Sequence, residues 1–401
     1  MKIFLISISF LLLPLTYVYC QSDIFYTSKG TEIIDLNGKP ILLKGINLGN
    51  WLVPEGYFIK FKEINSPTRI YNFFNILLGK SEAKKFWDLY YKTYITEEDI
   101  KLIAKLGFNS VRVPFHYSLF VNDENELKGI GYSLLDSLIG WCKKENISVL
   151  LDMHCAPGGQ TGDNIDDSYG YPFLFESEED KELTINIWVK LAERYANEPI
   201  ILGYDFLNEP IAHYFNTDKL NPLLEPFFIR LTKEVRKVDK NHLLFIAGAQ
   251  WNSNFGIFGK PFDTKLVYTF HKYWTAPTQE VIQDYLDFSK KYNVPIHLGE
   301  SGENSNEWIN EFRTTLEKNN IGWCFWPYKK MDSESCVVSI TKTKEFDKII
   351  EFANSKIVSY EDIRNNRPDF NVIKKGLYDY LDNLKIDKCR INKDYLNALG
   401  L

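Results

Sequence analysis

The chain has 401 residues, 45% of them hydrophobic and 15% aromatic, and a formal net charge of −6 at pH 7. This length and apolar content allow a large buried core of the kind found in globular enzymes. The negative charge, together with the lack of a basic run, argues against a nucleic acid or an anionic membrane as the partner.

The N-terminus has the pattern of a secretory signal. A single lysine precedes the apolar run IFLISISFLLLPL, and small to medium-sized residues surround position 20. The run is too short and too early for a membrane-spanning helix. We therefore predict a signal peptide over 1–20, cleaved near Cys20–Gln21, and a secreted, periplasmic or cell-surface protein without a membrane span. A lipid anchor at Cys20 is the alternative interpretation.

The segment that follows predicts a small N-terminal β-hairpin. In TEIIDLNGKPILL (31–43), an Asn-Gly pair lies between two runs of alternating polarity. Asn37 and Gly38 both tolerate the positive φ that a tight hairpin turn requires. We expect this hairpin to cap the floor of the main domain.

The rest of the chain alternates between short apolar runs and helical patterns. Eight such runs, read as strands, occupy 41–48, 109–115, 147–154, 201–209, 242–248, 265–271, 295–301 and 321–327. The helical patterns between them occupy 96–107, 132–146, 181–197, 226–239, 278–293 and 306–320. This alternation is typical of parallel β/α units, and eight of them favour a closed barrel. We predict a single α/β domain, a (β/α)8 TIM barrel, over 21–385, followed by a C-terminal tail over 386–401.

The cysteines and acidic runs indicate no metal centre. Removal of the signal leaves five of the six cysteines, an odd number that implies no full disulfide framework. Neither CxxC nor HExxH occurs. The run GDNIDDS (162–168) is read as a solvated acidic loop, since the spacing of a calcium loop does not follow it.

Two glutamates stand where a barrel carries its active site. Glu209, in GYDFLNEP, ends the fourth predicted strand, and Glu300, in HLGES, ends the seventh. Side chains at the C-terminal strand ends of a barrel face one shared pocket. Two carboxylates there can divide the roles of acid and nucleophile in cleaving a glycosidic bond. One must remain protonated, which burial favours, and the other ionised, for which Arg112 and Tyr273 are candidate donors.

Further polar and aromatic residues end the predicted strands. A single strand-end histidine is usually structural, but His154 and His271 together favour a pocket for a polar substrate. Trp326 ends strand eight, where it fits core packing about as well as a platform for a sugar ring. Other aromatic residues near strand ends are candidate platforms, of which we expect half to pack loops: Trp51, Tyr169, Tyr171, Trp251 and Trp274.

From about Gly45 to Tyr328 the chain resembles glycoside hydrolase family 5, the cellulase-like retaining enzymes built on (β/α)8 barrels. The motifs are NEP, VRVPF, DMHCAPGG, FHKY, HLGES and the strand-eight tryptophan. The resemblance implies Glu209 as acid/base and Glu300 as nucleophile. It also implies a set of substrate-binding or supporting residues: Arg112, His154, Asn208, His271, Tyr273 and Trp326. Of these, Asn208 would contact the sugar 2-hydroxyl and Arg112 would steady the nucleophile.

A narrower resemblance links the chain to the exo-β-1,3-glucanase branch of that family. GINLGNWLVPEGYF and the loop HCAPGGQTGD are similar to that branch, which implies that Glu55 and Asp163 hold the non-reducing end of the sugar. The chain departs from the branch at GES after strand seven and in the lengthened segment 60–90. These departures leave open the linkage and the choice between exo and endo action.

These observations predict a secreted retaining β-glycosidase that cleaves β-1,3- or β-1,4-linked glucans by double displacement, as a monomer. No metal or organic cofactor is expected, and the partner is a β-linked oligo- or polysaccharide. Three alternatives remain: a carbohydrate-binding barrel without activity, a hydrolase of β-mannan or another β-glycoside, and a barrel enzyme acting on phosphorylated substrates. The last would require a phosphate loop, for which GESGENS (299–305) is a thin candidate.

Overall fold

The structure, a computed structural model, describes residues 25–401. The predicted signal peptide over 1–20 and the alternative anchor at Cys20 therefore lie outside the described residues. Among the helices between 25 and 401, none is both long and apolar enough to cross a membrane. The five cysteines in this range are all free thiols.

The strands, in chain order, are β1 (Thr27–Lys29), β2 (Glu32–Ile34), β3 (Lys44–Asn47), β4 (Ser110–His116), β5 (Ser148–Cys155), β6 (Ile201–Asp205), β7 (Leu243–Ala247), β8 (Leu266–His271), β9 (Ile296–Glu300), β10 (Gly322–Phe325), β11 (Lys329–Met331), β12 (Val338–Ile340) and β13 (Arg390–Ile391). Strands β3 to β10 are all parallel, each pairs with the next, and β10 closes the ring by pairing with β3. The predicted (β/α)8 barrel is confirmed.

The helices surround this barrel and extend beyond it at the C-terminus. They comprise Pro67–Leu78, Lys80–Thr93, Glu97–Lys105, Gly131–Glu145, Glu178–Tyr195, Thr217–Val238, Gln283–Tyr292, Asn306–Lys318, Lys344–Ala353, Tyr360–Asn366, Phe370–Asn383 and Lys393–Ala398. Thr96 and Asp99 form a capping box at the start of the third of them. The sixth begins nine residues before the predicted start at 226, because the Asn216 side chain caps it by accepting from the Lys219 N–H.

The N-terminal hairpin is present, but its regular pairing lies earlier than predicted. β1 and β2 are joined across Gly30 and Thr31, and the Asn37–Gly38 turn leads only to a single antiparallel bridge from Ile34. The hairpin caps the barrel floor as predicted. Ile33 of the hairpin packs in one cluster with buried residues near the N-terminal ends of barrel strands, among them Leu43, Leu150, Leu202, Leu243 and Val267.

The segment 386–401, predicted to be a tail, packs on the barrel instead. Strand β13 pairs with β12, and the helix Lys393–Ala398 contacts the helix Asn306–Lys318. Tyr395 is buried and its hydroxyl donates to the carbonyl of Trp326, 3.3 Å away. Tyr395, Leu396 and Leu399 bury apolar surface there, which holds the segment against the domain.

Burial along the barrel strands positions the polar residues of the site. Every residue of β4 and β5 is buried, including Arg112, Asp152 and His154. A charged or polar group in such a place is unfavourable unless it is paired and hydrogen-bonded. The pairing partners of these three residues define the floor of the candidate site.

Candidate active site

Glu209 and Glu300 lie together at the C-terminal mouth of the barrel. Carboxylate oxygens of the two residues and a ring nitrogen of His271 all lie within 4.8 Å of one another. Glu209 is 9% exposed and Glu300 is 5% exposed. This short separation of two carboxyl groups suits a nucleophile and an acid acting on one glycosidic bond with retention, whereas inversion requires room for a water between them.

The strand that carries Glu209 is shorter than predicted. β6 ends at Asp205, and Glu209 lies four residues further on, with a positive φ of 44°. Gln160 supports this turn, because its side-chain amide donates to the carbonyls of His154 and Asn208, both at 2.8 Å. Positive φ is unfavourable for a residue with a side chain, so the surrounding hydrogen bonds fix the direction of Glu209.

Arg112 connects the nucleophile candidate to the barrel interior. Its guanidinium donates to Glu300 Oε1 at 2.5 Å and to Asp205 Oδ2 at 2.9 Å, and a third nitrogen lies 3.1 Å from Asp152 Oδ1. It also donates to the side-chain oxygens of Asn47 and Asn208. A buried guanidinium with these partners holds Glu300 in one orientation and places a positive charge beside it.

Tyr273 completes the surroundings of Glu300. Its hydroxyl donates to Glu300 Oε2 at 3.1 Å. Arg112 and Tyr273 therefore each supply one donor to a different oxygen of the same carboxylate, as the sequence predicts. Donors of this kind stabilise the negative charge that a nucleophile requires.

Glu209 has the opposite environment. Its Oε1 lies 2.8 Å from His271 Nδ1, and no lysine or arginine within 25–401 forms an ion pair with it. Burial raises the pKa of Glu209 to about 7, although His154 and Arg112 act in the other direction. Burial also lowers the pKa of His271 to about 3, so this ring is neutral at working pH. A neutral His271 whose Nδ1–H donates to Oε1 leaves the acid proton of Glu209 on Oε2.

His154 serves as a rigid link between strands. Its Nδ1 lies 2.7 Å from Asp152 Oδ2, and its Nε2 lies 3.3 Å from the amide nitrogen of Asn208. Because Asp152 accepts from Nδ1–H, Nε2 is the acceptor for Asn208. With its oxygen bound to Arg112, Asn208 is held at both ends of its amide, which is consistent with a fixed contact to substrate.

Trp326 follows β10 and lies against the site. Its ring is parallel to that of His154, with centroids 5.7 Å apart, and its indole N–H donates to the Tyr57 hydroxyl at 2.6 Å. Only 4% of Trp326 is exposed. Little of the ring surface is therefore accessible from solvent.

Of the other aromatic residues predicted as sugar platforms, one is buried in a loop and two are exposed to solvent. Trp51 is 1% exposed and donates to the carbonyl of Tyr91, so this residue packs the loop and the platform interpretation is wrong. Tyr169 and Trp274 are 94% and 77% exposed and remain available to a substrate.

Glu55 and Asp163 have different surroundings. Glu55 is 3% exposed, and its Oε1 has no hydrogen-bond partner among the described residues. Burial and the neighbouring charge of Glu300 raise the pKa of Glu55 well above its usual range. Asp163 lies in the loop after β5, where it accepts from the Asn164 N–H and the Tyr214 hydroxyl. No hydrogen bond or ion pair within 25–401 joins Asp163 to Glu209 or Glu300.

Two groups of side chains have donor atoms close enough to bind a metal ion. They are Asp152, His154 and Glu300, and Glu209, His271 and Glu300. The Arg112 guanidinium is hydrogen-bonded to Glu300 and lies beside Asp152, so a second cation there would be repelled. The acidic run 162–168 is a loop with a short 3-10 turn, but the prediction that it is solvated is wrong. Asp166 is buried, because its carboxylate accepts from the N–H groups of Thr161 and Gly162.

Sequence reasoning missed the residues that support the site from below. Asn47 donates to the carbonyls of Gly299, Cys324 and Phe325, and thereby ties β3 to β9 and β10. Asp152 and Asp205 flank Arg112, and burial raises the pKa of each to about 7 against the opposing effect of that cation. The sequence feature that could have identified them is a polar residue within an otherwise apolar strand.

Comparisons with known proteins agree with this geometry. The sequence profile of the family Cellulase (glycosyl hydrolase family 5) matches residues 68–332. A solved structure of Cel5A from Thermotoga maritima with cellobiose has the same fold, with a TM-score of 0.55 and 20% identity over 90% of this chain and 97% of that one.

Curated relatives carry several activity names. A β-xylosidase of Phanerodontia chrysosporium is 32% identical over 57% of this chain and 47% of its own length. Endoglucanase C of Acetivibrio thermocellus is 28% identical over 63% and 90% of the two chains. Glucan 1,3-β-glucosidase I/II of Saccharomyces cerevisiae is 32% identical over 50% and 47%. The match thus spans about half the length of the first and third of these relatives. Since the family profile covers well over half of the chain, the chain belongs to glycosyl hydrolase family 5.

Proposed function

We propose that the chain is a retaining β-glycosidase that hydrolyses β-linked glucans, with Glu300 as nucleophile and Glu209 as acid/base. One observation carries the proposal. Two carboxyl groups with oxygens less than 4.8 Å apart have opposite environments, Glu300 with a guanidinium and a phenol, Glu209 with burial and a neutral imidazole. Such a difference assigns the two roles of a retaining mechanism.

In the first step, an oxygen of Glu300 attacks the anomeric carbon. The glycosidic C–O bond breaks, and the proton on Glu209 Oε2 passes to the leaving oxygen. The sugar is then bound to Glu300 as an ester, and Glu209 is ionised. Its new charge is stabilised by the Nδ1–H of His271, 2.8 Å from Oε1.

In the second step, water enters from the side of the departed group. Glu209 takes a proton from this water, whose oxygen attacks the anomeric carbon as the ester bond to Glu300 breaks. Two successive inversions retain the β configuration. Asn208, fixed by Arg112 and His154, holds the sugar 2-hydroxyl, and a contact that strengthens in the transition state lowers the barrier.

The family and the relatives support a β-glucan substrate. Two of the relatives are named for glucan hydrolysis, an endoglucanase and a glucan 1,3-β-glucosidase. We further propose that the protein is secreted after removal of residues 1–20 and acts as a monomer. The apolar run after Lys2 supports the first of these points.

A substrate panel with product stereochemistry tests the proposal. We expect turnover of aryl β-glucosides and of β-1,3- or β-1,4-glucans, with proton NMR showing the β-anomer as the first product. An α-anomer as the first product would refute the nucleophile role of Glu300. Turnover of β-mannan or xylan alone would refute the substrate class while leaving the mechanism intact.

A further inference from the structure

We propose that Asn146 is an acceptor for an N-linked oligosaccharide, which is attached while the chain is secreted and before its barrel has folded. The attached sugar would lie at the barrel floor, at the opposite end of the strands from Glu209 and Glu300. The proposal rests on the secretion proposed above, and it does not depend on the substrate or on the catalytic roles.

The acceptor motif occurs once in the sequence. Asn146, Ile147 and Ser148 form Asn-x-Ser, and no other asparagine among the 401 residues is followed two positions later by serine or threonine. In a secreted protein, this motif marks an asparagine whose side chain can carry an oligosaccharide. Because a motif of three residues is short, its place in the structure has to show whether it can be used.

The side chain of Asn146 is available for modification. Asn146 is exposed, and within 25–401 its side chain forms no hydrogen bond. The residue ends the helix Gly131–Glu145 in the left-handed region, with φ 55° and ψ 40°, and its backbone N–H donates to the carbonyl of Cys142. Asparagine tolerates this conformation, and the helix end uses only its backbone. A bond to the amide nitrogen therefore breaks no contact of the folded domain.

The other two residues of the motif are buried. Ile147 is 2% exposed and Ser148 is 0% exposed. Ser148 begins β5, where its backbone N–H and its hydroxyl donate to the carbonyl of Asn109, at 3.0 and 3.1 Å. An enzyme that recognises the motif has to reach this hydroxyl, and the folded barrel covers it. The sugar must therefore be attached before β5 pairs with β4.

The transfer needs one co-reactant, an oligosaccharide carried on a polyprenyl diphosphate. The amide nitrogen Nδ2 of Asn146 attacks the anomeric carbon of the first sugar. The bond from this carbon to the diphosphate oxygen breaks, the diphosphate leaves with the electron pair, and Nδ2 releases one proton. No oxidant or reductant takes part, and an oligosaccharyltransferase of the secretory compartment catalyses the step.

The position of Asn146 keeps the sugar away from the catalytic residues. Asn146 precedes β5, whereas His154, near the other end of this strand, contacts Asn208 beside the catalytic pair. The six residues from Ser148 to His154 span about 20 Å, at about 3.3 Å for each residue. An oligosaccharide at Asn146 therefore adds bulk and solubility at the barrel floor without obstructing the mouth.

The alternative is that Asn146 serves only to end its helix, and three variants separate the two roles. Asn146→Gly keeps the helix end, because glycine adopts positive φ readily, but it removes the acceptor amide. Ser148→Ala keeps Asn146 and removes the motif. Asn125→Gly is the matched control, since Asn125 is also exposed and has a φ of 60° but lies outside the motif.

The test uses the whole chain, with its own residues 1–24, secreted by cultured animal cells. We expect most of the wild type and of Asn125→Gly to shift to lower mass with peptide N-glycosidase F, which converts the modified Asn146 to aspartate. Asn146→Gly and Ser148→Ala should show no shift, and Asn146→Gly should retain the wild-type kcat/KM within about twofold. Secreted wild type without a shift would overturn the proposal, as would a shift retained in Asn146→Gly.

The order of events has its own test. Folded protein from a bacterial cytoplasm is incubated with an oligosaccharyltransferase and its lipid-linked donor, beside a synthetic peptide of residues 140–152. The peptide should be modified and the folded protein should not. Equal modification of both would refute attachment before folding.

The proposals fail in different ways. Absence of the chain from the medium would refute secretion by residues 1–20, and the same chain behind the host's own signal peptide would still decide whether Asn146 is modified. Absence of glycosidase activity would refute the proposed function and leave this inference intact. If Ser148→Ala does not fold, Asn146→Gly alone decides.

Discussion

The protonation of Glu209 should set the upper pH limit of activity. Burial raises the pKa of this carboxyl from 4.5 to about 7. That shift corresponds to about 3 kcal/mol, at 1.36 kcal/mol for each pH unit. With the ordinary pKa, about 0.3% of Glu209 would carry its proton at pH 7, whereas about half carries it here. The environment therefore raises the competent fraction by a factor of about 150 at pH 7.

The measurement is kcat/KM against pH on a glucan oligosaccharide, whose leaving group needs protonation. We expect a fall centred near pH 7, which approaches tenfold for each further pH unit. An aryl glycoside with a good leaving group should show a weaker fall. In Glu209→Gln, the fall of kcat/KM near pH 7 should be absent. A rate that stays level through pH 8.5 would refute the assignment of Glu209 as the acid, as would a limb retained in Glu209→Gln.

Three other perturbations separate the roles in the site. Glu300→Ala should abolish turnover without unfolding, and azide should restore glycosyl transfer with an inverted product; unchanged hydrolysis would refute the nucleophile. Trp326→Ala should lower kcat and kcat/KM together by about tenfold or more, whereas Trp274→Ala should mainly raise KM; a pure KM effect of Trp326→Ala would contradict a platform at the cleavage point. Glu209→Gln should become more stable relative to the wild type between pH 5 and pH 8, by up to about 3 kcal/mol in chemical denaturation. The sign follows because the pKa of Glu209 is higher in the folded state than in the unfolded state, so the wild type loses stability as pH rises from about 4.5 through 7. A stability difference between variant and wild type that does not change with pH would contradict the raised pKa.

The barrel could be predicted because each strand and helix has a recognisable pattern within its own stretch of sequence. Each of the eight strands is a short apolar run between helical patterns, and a pattern of this kind reports burial directly. The predicted boundaries of strands and helices were wrong where tertiary contacts determine them. Residues 386–401 have no strong pattern of their own, and they are structured because β13 pairs with β12 and the buried Tyr395 donates to the Trp326 carbonyl.

Within the site, the sequence identified residues at strand ends but not their supports. Glu209 and Glu300 were found because each carboxylate follows an apolar run, and the structure brings them together. Asn47 and Asp205 are polar residues within apolar strands, but their roles consist of contacts with strands distant in the chain, which the sequence does not specify. Trp51 was misread because an aromatic residue near a strand end looks the same whether it faces a cleft or the core.

By itself, the sequence determined the order of strands and helices, and hence which side chains reach the mouth of the barrel. Only the tertiary structure decided which of these side chains is suited to act as the acid and which as the nucleophile. Glu209 and Glu300 are the same residue type, and their difference comes from neighbours at positions 112, 271 and 273. The contacts of Lys330 with Glu303 and Tyr57 likewise join residues of three separate loops. Electrostatic and steric effects of this kind depend on distances through space, and spacing along the chain does not contain them.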